Sequence, residues 1–382
     1  MSKRHTFSRT VVAFALAMTV PVAASHADNG SKGDSSGSST SQSGSARTGK
    51  SVSAASETVS VTAPVTKADG TKVVTAHKVS AGERKTALAS GAPTGRAAER
   101  DAAARKAVRE YWTRERLASA KPMPLPSGPK ADKSSLRKGA AKAERTLKAD
   151  KAAGKTTRVN GKVFFNDDRG GKYECSASAV DSPTKRIVVT AAHCVHGGKG
   201  GTWYSNWMFV PAYDKKNRPY GTFPAYHMHA MDEWQREADP DHGKGFESDV
   251  AFVTTKNNER GQRLVDTVGG HRLAVSDRTD FDTTIIGYPQ NVNGGETMEV
   301  CKNTTRRIVN NGFPFLQVWG CGFGGGASGG PWLENYDPKT GLGDVRSITS
   351  YKPSDENDVS YIGAPIFDNR TADLFAKANN DR

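Results

Sequence analysis

The sequence GGGASGGPW at residues 324–332 narrows the fold and chemistry of this chain more than any other stretch. It sets Ser328 among glycines, which let the backbone bend until its N–H groups point toward one spot. Enzymes that transfer acyl groups use such a bend to bind a developing oxyanion. Glycine-rich loops around a serine also occur as ordinary turns, so the motif by itself leaves both interpretations open.

Two upstream segments supply the partners that a serine nucleophile needs. VVTAAHC (188–194) places His193 after an apolar run, and SDVAFV (248–253) places Asp249 before another. A serine hydroxyl requires a base within hydrogen-bond reach, imidazole has a pKa near neutral pH, and a buried carboxylate orients the imidazole. We therefore predict that Ser328 is the nucleophile, His193 the general acid and base, and Asp249 the orienting carboxylate.

The oxyanion donors and the choice of aspartate follow from the same motifs. We expect the backbone N–H groups of Gly326 and Ser328 to be the donors. Only Asp249 leads directly into an apolar run that would fix it in a strand. Three nearby aspartates compete with it for the orienting role: Asp239, Asp241 and Asp266.

The region after residue 158 has the pattern of an all-β domain. Short apolar runs such as RIVVT (186–190) and TTIIGY (283–288) recur at close spacing between Gly, Asn, Asp and Pro. The last segment, DNRTADLFAKANN (368–380), predicts a helix with Asp368 or Asn369 near its start. About 225 residues suffice for a sizeable core.

In order and residue type, these motifs resemble the chymotrypsin-like (trypsin-fold) serine peptidases over residues 156–382. IIGYPQ (285–290) and GGPW (329–332) are most similar to the secreted bacterial branch that includes glutamyl-endopeptidase-like enzymes. The resemblance implies an all-β fold of two six-stranded antiparallel β-barrels with the active site between them and a C-terminal helix. It implies a secreted serine endopeptidase acting on peptide substrates. An esterase using the same triad, or a catalytically idle binding or adaptor protein on this fold, is the alternative.

The resemblance also points to substrate-binding residues. Gly322 stands where trypsin has its pocket-floor aspartate, and Phe323 follows it, so a preference for Arg or Lys has no support. Ser350, Tyr351 and Lys352 resemble the strand that pairs with substrate backbone. The Lys352 ammonium group either favours acidic substrate residues or is simply solvated. Thr349 stands where glutamate-specific relatives have a histidine, so specificity for Glu is not predicted.

Ala327 departs from the family pattern, because trypsin has an aspartate before its serine. That aspartate pairs with the α-amino group that zymogen cleavage releases, and alanine does not form this pair. We therefore expect packing and the glycine-rich backbone to hold the oxyanion loop. A pro-region would then act by blocking the cleft or by assisting folding.

The N-terminus has the pattern of a secretory signal over residues 1–27. Basic residues precede the apolar run VVAFALAMTV (11–20), and Ser25-His26-Ala27 offers small residues at the cleavage positions. The apolar run is too short to span a bilayer. The sequence therefore predicts export to the extracellular space.

Residues 28–155 are predicted to be a cationic, low-complexity pro-region or linker. Ser, Gly and Lys dominate 28–60, which should be disordered, whereas 82–121 is helix-prone until Pro122, Pro124 and Pro126. The positive formal net charge of the chain, +14, comes from residues 1–155, since 156–382 holds 26 basic and 28 acidic residues. We therefore expect no nucleic-acid partner. A basic arm that binds an anionic cell surface is the alternative role for the region.

Four cysteines fit an oxidising compartment and allow three pairings. The pairing Cys175–Cys194 with Cys301–Cys321 closes two short loops, and the family resemblance supports the first bridge. A zinc site is a weak alternative, because no C-x-x-C spacing occurs. We expect no metal, no cofactor and a monomeric protein.

Overall fold

The computed structural model describes residues 65–67, 71–74, 95–128, 157–239, 245–310, 313–353 and 360–380. The predicted signal peptide and most of the predicted pro-region lie outside these residues. No helix within the described ranges is long and apolar enough to cross a membrane.

Strands dominate the described part of the chain. In chain order they are β1 (Val65–Thr66), β2 (Lys72–Val74), β3 (Lys121–Pro122), β4 (Asn160–Asn166), β5 (Lys172–Val180), β6 (Ile187–Thr190), β7 (Ser205–Pro211), β8 (Phe223–Ala230), β9 (Ala251–Thr255), β10 (Arg272–Val275), β11 (Asp282–Gly287), β12 (Glu299–Thr304), β13 (Arg306–Asn310), β14 (Phe313–Trp319), β15 (Pro331–Asp337), β16 (Leu342–Ile348) and β17 (Tyr361–Pro365). The helices are α1 (Arg96–Tyr111), α2 (Arg114–Ser119), α3 (Asp232–Glu237), α4 (Leu264–Val268) and α5 (Asn369–Asn380).

Strands β4 to β9 close into a six-stranded antiparallel barrel. The order is β5-β4-β7-β8-β9-β6, and β6 pairs back onto β5 at Ser178↔Val189. Val163 and Phe165 of β4 face the barrel core, whereas the intervening Phe164 belongs to a separate cluster outside it. This alternation follows from the two-residue period of a strand. It confirms the expected first barrel.

The second half is all-β as expected, but its strands form two sheets rather than one closed barrel. One sheet has the order β1-β2-β10-β16-β15-β11-β12, and the other has β13-β14-β17. The chain passes from one to the other at Thr305, between β12 and β13. Thr305 is buried, its N–H donates to the Phe281 carbonyl at 2.9 Å, and its hydroxyl donates to the Thr279 carbonyl at 2.8 Å. These hydrogen bonds hold the chain in a bend between β12 and β13, so the two strands pair in different sheets.

The predicted C-terminal helix is confirmed as α5. The Asp368 carboxylate accepts the N–H groups of Arg370 and Thr371 at 2.9 and 3.3 Å, which caps the first turn. Phe375 packs edge-on against Phe252 of β9, with ring centroids 5.3 Å apart. The helix therefore closes one side of the first barrel.

The helical segment before the barrel packs onto it through one tryptophan. Trp112 follows α1, is only 1% exposed, and shares a cluster with Phe164 and Met208. Its indole N–H donates to the Asn206 carbonyl at 2.6 Å. Burying a tryptophan with its polar atom satisfied is strongly favourable. Residues 95–128 are thus held against the first barrel.

Candidate active site

His193 and Asp249 meet because they lie beside neighbouring strands. Thr190 at the end of β6 pairs with Ala251 at the start of β9, so the turn after β6 and the residue before β9 share one edge. The His193 N–H donates to Asp249 Oδ1 at 2.9 Å, and its Nδ1 lies 2.7 Å from Asp249 Oδ2. A carboxylate only accepts, so it selects the tautomer with the proton on Nδ1. Nε2 is then the ring nitrogen without a proton.

Asp249 is fully buried and accepts a third hydrogen bond. The Ser350 hydroxyl donates to Asp249 Oδ2 at 2.5 Å. Hydrogen bonds to the charged form stabilise a buried carboxylate. The sequence marked Ser350 only as a substrate-strand residue, and nothing local to it signalled this contact.

The serine loop approaches the histidine segment through a glycine. Gly329 has φ +78°, and a Cβ there would lie 2.1 Å from Thr190 Oγ1 and 2.8 Å from the Ala191 nitrogen. A side chain at this position would push the Ser328 loop away from the strand that leads to His193. Glycine is therefore required next to Ser328 for a reason of packing as well as backbone angle.

Ser176 of β5 fastens the same loop, which the sequence did not reveal. Its hydroxyl donates to the Gly326 carbonyl at 2.8 Å and accepts the Tyr288 N–H at 2.9 Å. Its backbone N–H donates to the Ser328 carbonyl at 2.7 Å. One residue thus fixes both ends of the Gly326–Ser328 stretch.

Asn291 fixes the residues upstream of that stretch. Its Oδ1 accepts the Gly324 N–H at 2.8 Å, and its Nδ2 donates to the Gly322 carbonyl at 2.7 Å. Ala327 is fully buried in an apolar cluster that also contains Phe323. The loop at the Ala327 position is therefore held by packing, as expected, and by two polar side chains that the sequence analysis missed.

The two reactive atoms of the predicted triad are both buried. Ser328 is 0% exposed and His193 is 3% exposed. Neither Ser328 Oγ nor His193 Nε2 has a hydrogen-bond partner within the described part of the chain. Leaving a buried polar atom unpaired costs about 1–3 kcal/mol, and such atoms call for a functional explanation.

The predicted disulfide bonds are present. Cys175 is bonded to Cys194, which links β5 to the turn that holds His193. Cys301 is bonded to Cys321, which links β12 to the chain just before the serine loop. Sulfurs in a disulfide are not thiolate ligands, so the close grouping of Cys175, His193 and Cys194 has no metal-binding chemistry.

A buried ion pair lies next to Cys175. Lys162 Nζ is 2.7 Å from Glu174 Oε2, and both side chains are less than a tenth exposed. Burial raises the pKa of Glu174, and the positive charge of Lys162 opposes that rise. The ion pair links β4 to β5, the strand that also carries Ser176.

The predicted substrate-binding residues lie on two sides of the serine loop. Phe323 is buried in the cluster with Ala327, and Gly322 is bound by Asn291. Tyr351 is fully buried, and its ring packs edge-on against Phe315. The backbone of Lys352 pairs with Ser127 of the N-terminal segment.

The fold is that of chymotrypsin-fold serine proteases, and solved structures of that class are similar to this chain. Protease Anisep from Arthrobacter nicotinovorans is 27% identical with a TM-score of 0.51, covering 59% of this chain and 96% of that one. The thermostable serine protease AL20 from an extremophilic microorganism is 27% identical with a TM-score of 0.52, covering 59% and 99%. A Glu endopeptidase is 13% identical with a TM-score of 0.45, covering 59% and 94%. No protein-family model and no curated protein matches the sequence.

Proposed function

We propose that this chain is a secreted serine endopeptidase that hydrolyses peptide bonds with Ser328, His193 and Asp249. One observation carries the proposal. Hydrogen bonds run from Ser350 through Asp249 to His193, and neither the second ring nitrogen of His193 nor the Ser328 hydroxyl has a hydrogen-bond partner within the described residues. The similarity to two serine proteases at 27% identity supports a peptidase.

The geometry favours acyl transfer in two steps. His193 Nε2 takes the Ser328 proton while Oγ attacks a peptide carbonyl, and the imidazolium then protonates the leaving amine. Asp249 stabilises that imidazolium without taking its proton. Water repeats the sequence on the acyl-enzyme, losing its proton to Nε2 and releasing the carboxylic acid and the free serine.

The oxyanion is expected to bind to the N–H groups of Gly326 and Ser328. Gly326 has φ +85°, a conformation suited to glycine, and its N–H donates to a carbonyl oxygen at 3.0 Å. This distance matches that required of an oxyanion donor. Loss of one such donor typically lowers kcat about 100- to 1000-fold.

Export and partners form the rest of the proposal. Two disulfides favour an oxidising, extracellular compartment and agree with the signal predicted at residues 1–27. The expected substrates are proteins or peptides, bound by a monomer without a cofactor or metal.

Covalent labelling tests the nucleophile. A fluorophosphonate probe, left until the reaction is complete, should modify Ser328 alone, and the site is read by mass spectrometry. Ser328→Ala should abolish labelling. Ser178→Ala is the matched control, because this serine is also buried with an unpartnered hydroxyl, and labelling should persist.

Three results would contradict the proposal. Labelling that survives Ser328→Ala would exclude Ser328 as the nucleophile, and a folded wild-type chain that never labels would favour the idle adaptor. A chain that labels and hydrolyses a p-nitrophenyl ester yet leaves denatured casein intact would instead be an esterase.

A further inference from the structure

We infer that residues 121–128 form a built-in inhibitor of this site, which lies across the predicted oxyanion loop and keeps the chain latent until it is displaced. The inference rests on the proposed function, and it names the segment and contacts that regulate the enzyme. The sequence KPMPLPSG has proline at every second position from Pro122 to Pro126.

Backbone hydrogen bonds hold the segment at both ends. At one end β3 pairs in parallel with β5, and the Met123 N–H donates to the Glu174 carbonyl at 2.8 Å. At the other, the Gly128 N–H donates to the Lys352 carbonyl at 2.8 Å, and the Lys352 N–H donates to the Pro126 carbonyl at 3.1 Å. Lys352 is a residue predicted to pair with substrate, so the segment takes backbone groups that a substrate needs.

Between these ends the segment occupies the proposed oxyanion position. The Met123 carbonyl accepts the Gly326 N–H at 3.0 Å. Pro122 and Met123 lie so close that a Cβ on Gly325 would be 3.1 Å from the Met123 oxygen, and one on Gly326 would be 3.3 Å from Pro122 Cβ. A substrate carbonyl and the Met123 carbonyl therefore exclude each other. Complete burial of Ser328 agrees with a covered nucleophile.

The register of the segment protects it from cleavage. A productive substrate presents one residue whose side chain fills the specificity pocket and whose carbonyl binds in the oxyanion hole. In this segment two different residues occupy these two positions. Met123 supplies the carbonyl that binds the Gly326 N–H, whereas the side chain of Leu125, only 3% exposed, packs in the apolar cluster that contains Phe323. The bond after the Met123 carbonyl leads to Pro124, whose ring nitrogen has no hydrogen. The segment thus blocks the site without aligning a bond for attack.

Anchoring makes the block effective. Trp112 is buried on the first barrel, its carbonyl accepts the Arg218 guanidinium at 3.1 Å, and Leu117 is also buried. A segment tethered this close acts at an effective concentration of about millimolar or more, so even weak contacts keep it bound. Its alternating prolines hold an extended backbone and reduce the entropy lost on docking.

The rate of fluorophosphonate labelling tests the inference in the full chain. Leu125→Asp places a charge in the apolar cluster and should expel the segment, raising the labelling rate at least about tenfold. Gly128→Val acts at the other end, where a Cβ would lie 1.9 Å from the Tyr351 ring, and should have the same effect. Ala103→Asp is the matched control, because it adds the same charge on the exposed face of α1 and should leave the rate unchanged.

Hydrogen exchange gives a second measurement that needs no catalysis. The amides of Gly326 and Lys352 should be protected in wild type and Ala103→Asp, and should exchange at least about tenfold faster in Leu125→Asp and Gly128→Val. Unchanged exchange in both variants, or wild-type labelling as fast as theirs, would overturn the inference. A chain that shows the exchange difference but never labels would refute the proposed function and leave the position of the segment supported.

Discussion

Removing the Ser176 hydroxyl is the sharpest test of how the serine loop is held. Ser176→Ala deletes the acceptor of the Tyr288 N–H and the donor to the Gly326 carbonyl, two backbone groups joined by one side chain. An unsatisfied buried group costs about 1–3 kcal/mol, so the free energy of unfolding should fall by about 2–4 kcal/mol. For a domain of this size, that lowers Tm by roughly 5–12 °C.

Ser178→Ala provides the control on the same strand. Ser178 is also fully buried and, two residues further along β5, points to the same side of the sheet. Its hydroxyl has no partner within the described residues, so its removal loses no hydrogen bond and should leave the free energy of unfolding unchanged or raise it by up to about 1–3 kcal/mol.

Urea unfolding of the oxidised protein, followed by tryptophan fluorescence, measures both variants. The denaturant dependence should be the same in both, so that the midpoints report stability. In a Leu125→Asp background, Ser176→Ala should also slow labelling of Ser328 by about 10- to 100-fold, because the Gly326 N–H loses its support. If Ser176→Ala and Ser178→Ala have equal midpoints, the hydroxyl does not hold the loop and the reasoning fails.

Three further predictions concern the triad, the buried histidine and the N-terminal anchor. Asp249→Asn should lower kcat for peptide hydrolysis by about 10⁴-fold, because the amide favours the wrong imidazole tautomer; a loss below about tenfold would exclude Asp249 from the triad. Burial lowers the pKa of His271 from 6.5 to about 3, so the unfolded chain binds more protons and stability falls as the pH drops from about 6.5 toward 3, by up to roughly 4 kcal/mol in total. Urea midpoints between pH 7 and 4.5 should fall less steeply for His271→Gln, and parallel profiles would contradict this account. Trp112→Ala should cost about 3–5 kcal/mol of anchoring and expose residues 95–128 to limited proteolysis, which an unchanged digestion pattern would disprove.

The parts of the site that sequence revealed are those whose chemistry is local. A serine among glycines, a histidine after an apolar run and an aspartate before one are each recognisable within ten residues. The prolines at 122–126 predict the end of a helix-prone stretch, and the structure confirms it, because α2 ends at Ser119. The contacts of this segment with Gly326 and Lys352 were not predictable from the sequence. Proline restricts the backbone angle of its own residue but does not determine which distant residues the segment contacts.

Ser176 and Asn291 could not be recognised from the sequence, because their roles depend on distant residues and not on their neighbours. A single serine in a strand and a single asparagine in a turn are common. Their importance lies in the backbone groups that they bind, which are 150 residues from Ser176 and 31 and 33 residues from Asn291. Ser350 was assigned to the substrate strand from its neighbours, whereas its hydroxyl binds Asp249, 101 residues earlier in the chain.

The sequence by itself determined the all-β class, the candidate residues and the C-terminal helix, because strand alternation, glycine and helix capping act over a few neighbouring residues. Tertiary structure alone decided that the β6–β9 register brings His193 to Asp249 and that the strands of the second half form two sheets. It also decided that residues 121–128 form hydrogen bonds with the backbone of Gly326 and Lys352. Those outcomes depend on which distant strands share hydrogen bonds, and a shift of one residue in a register would reverse every side chain on the strand.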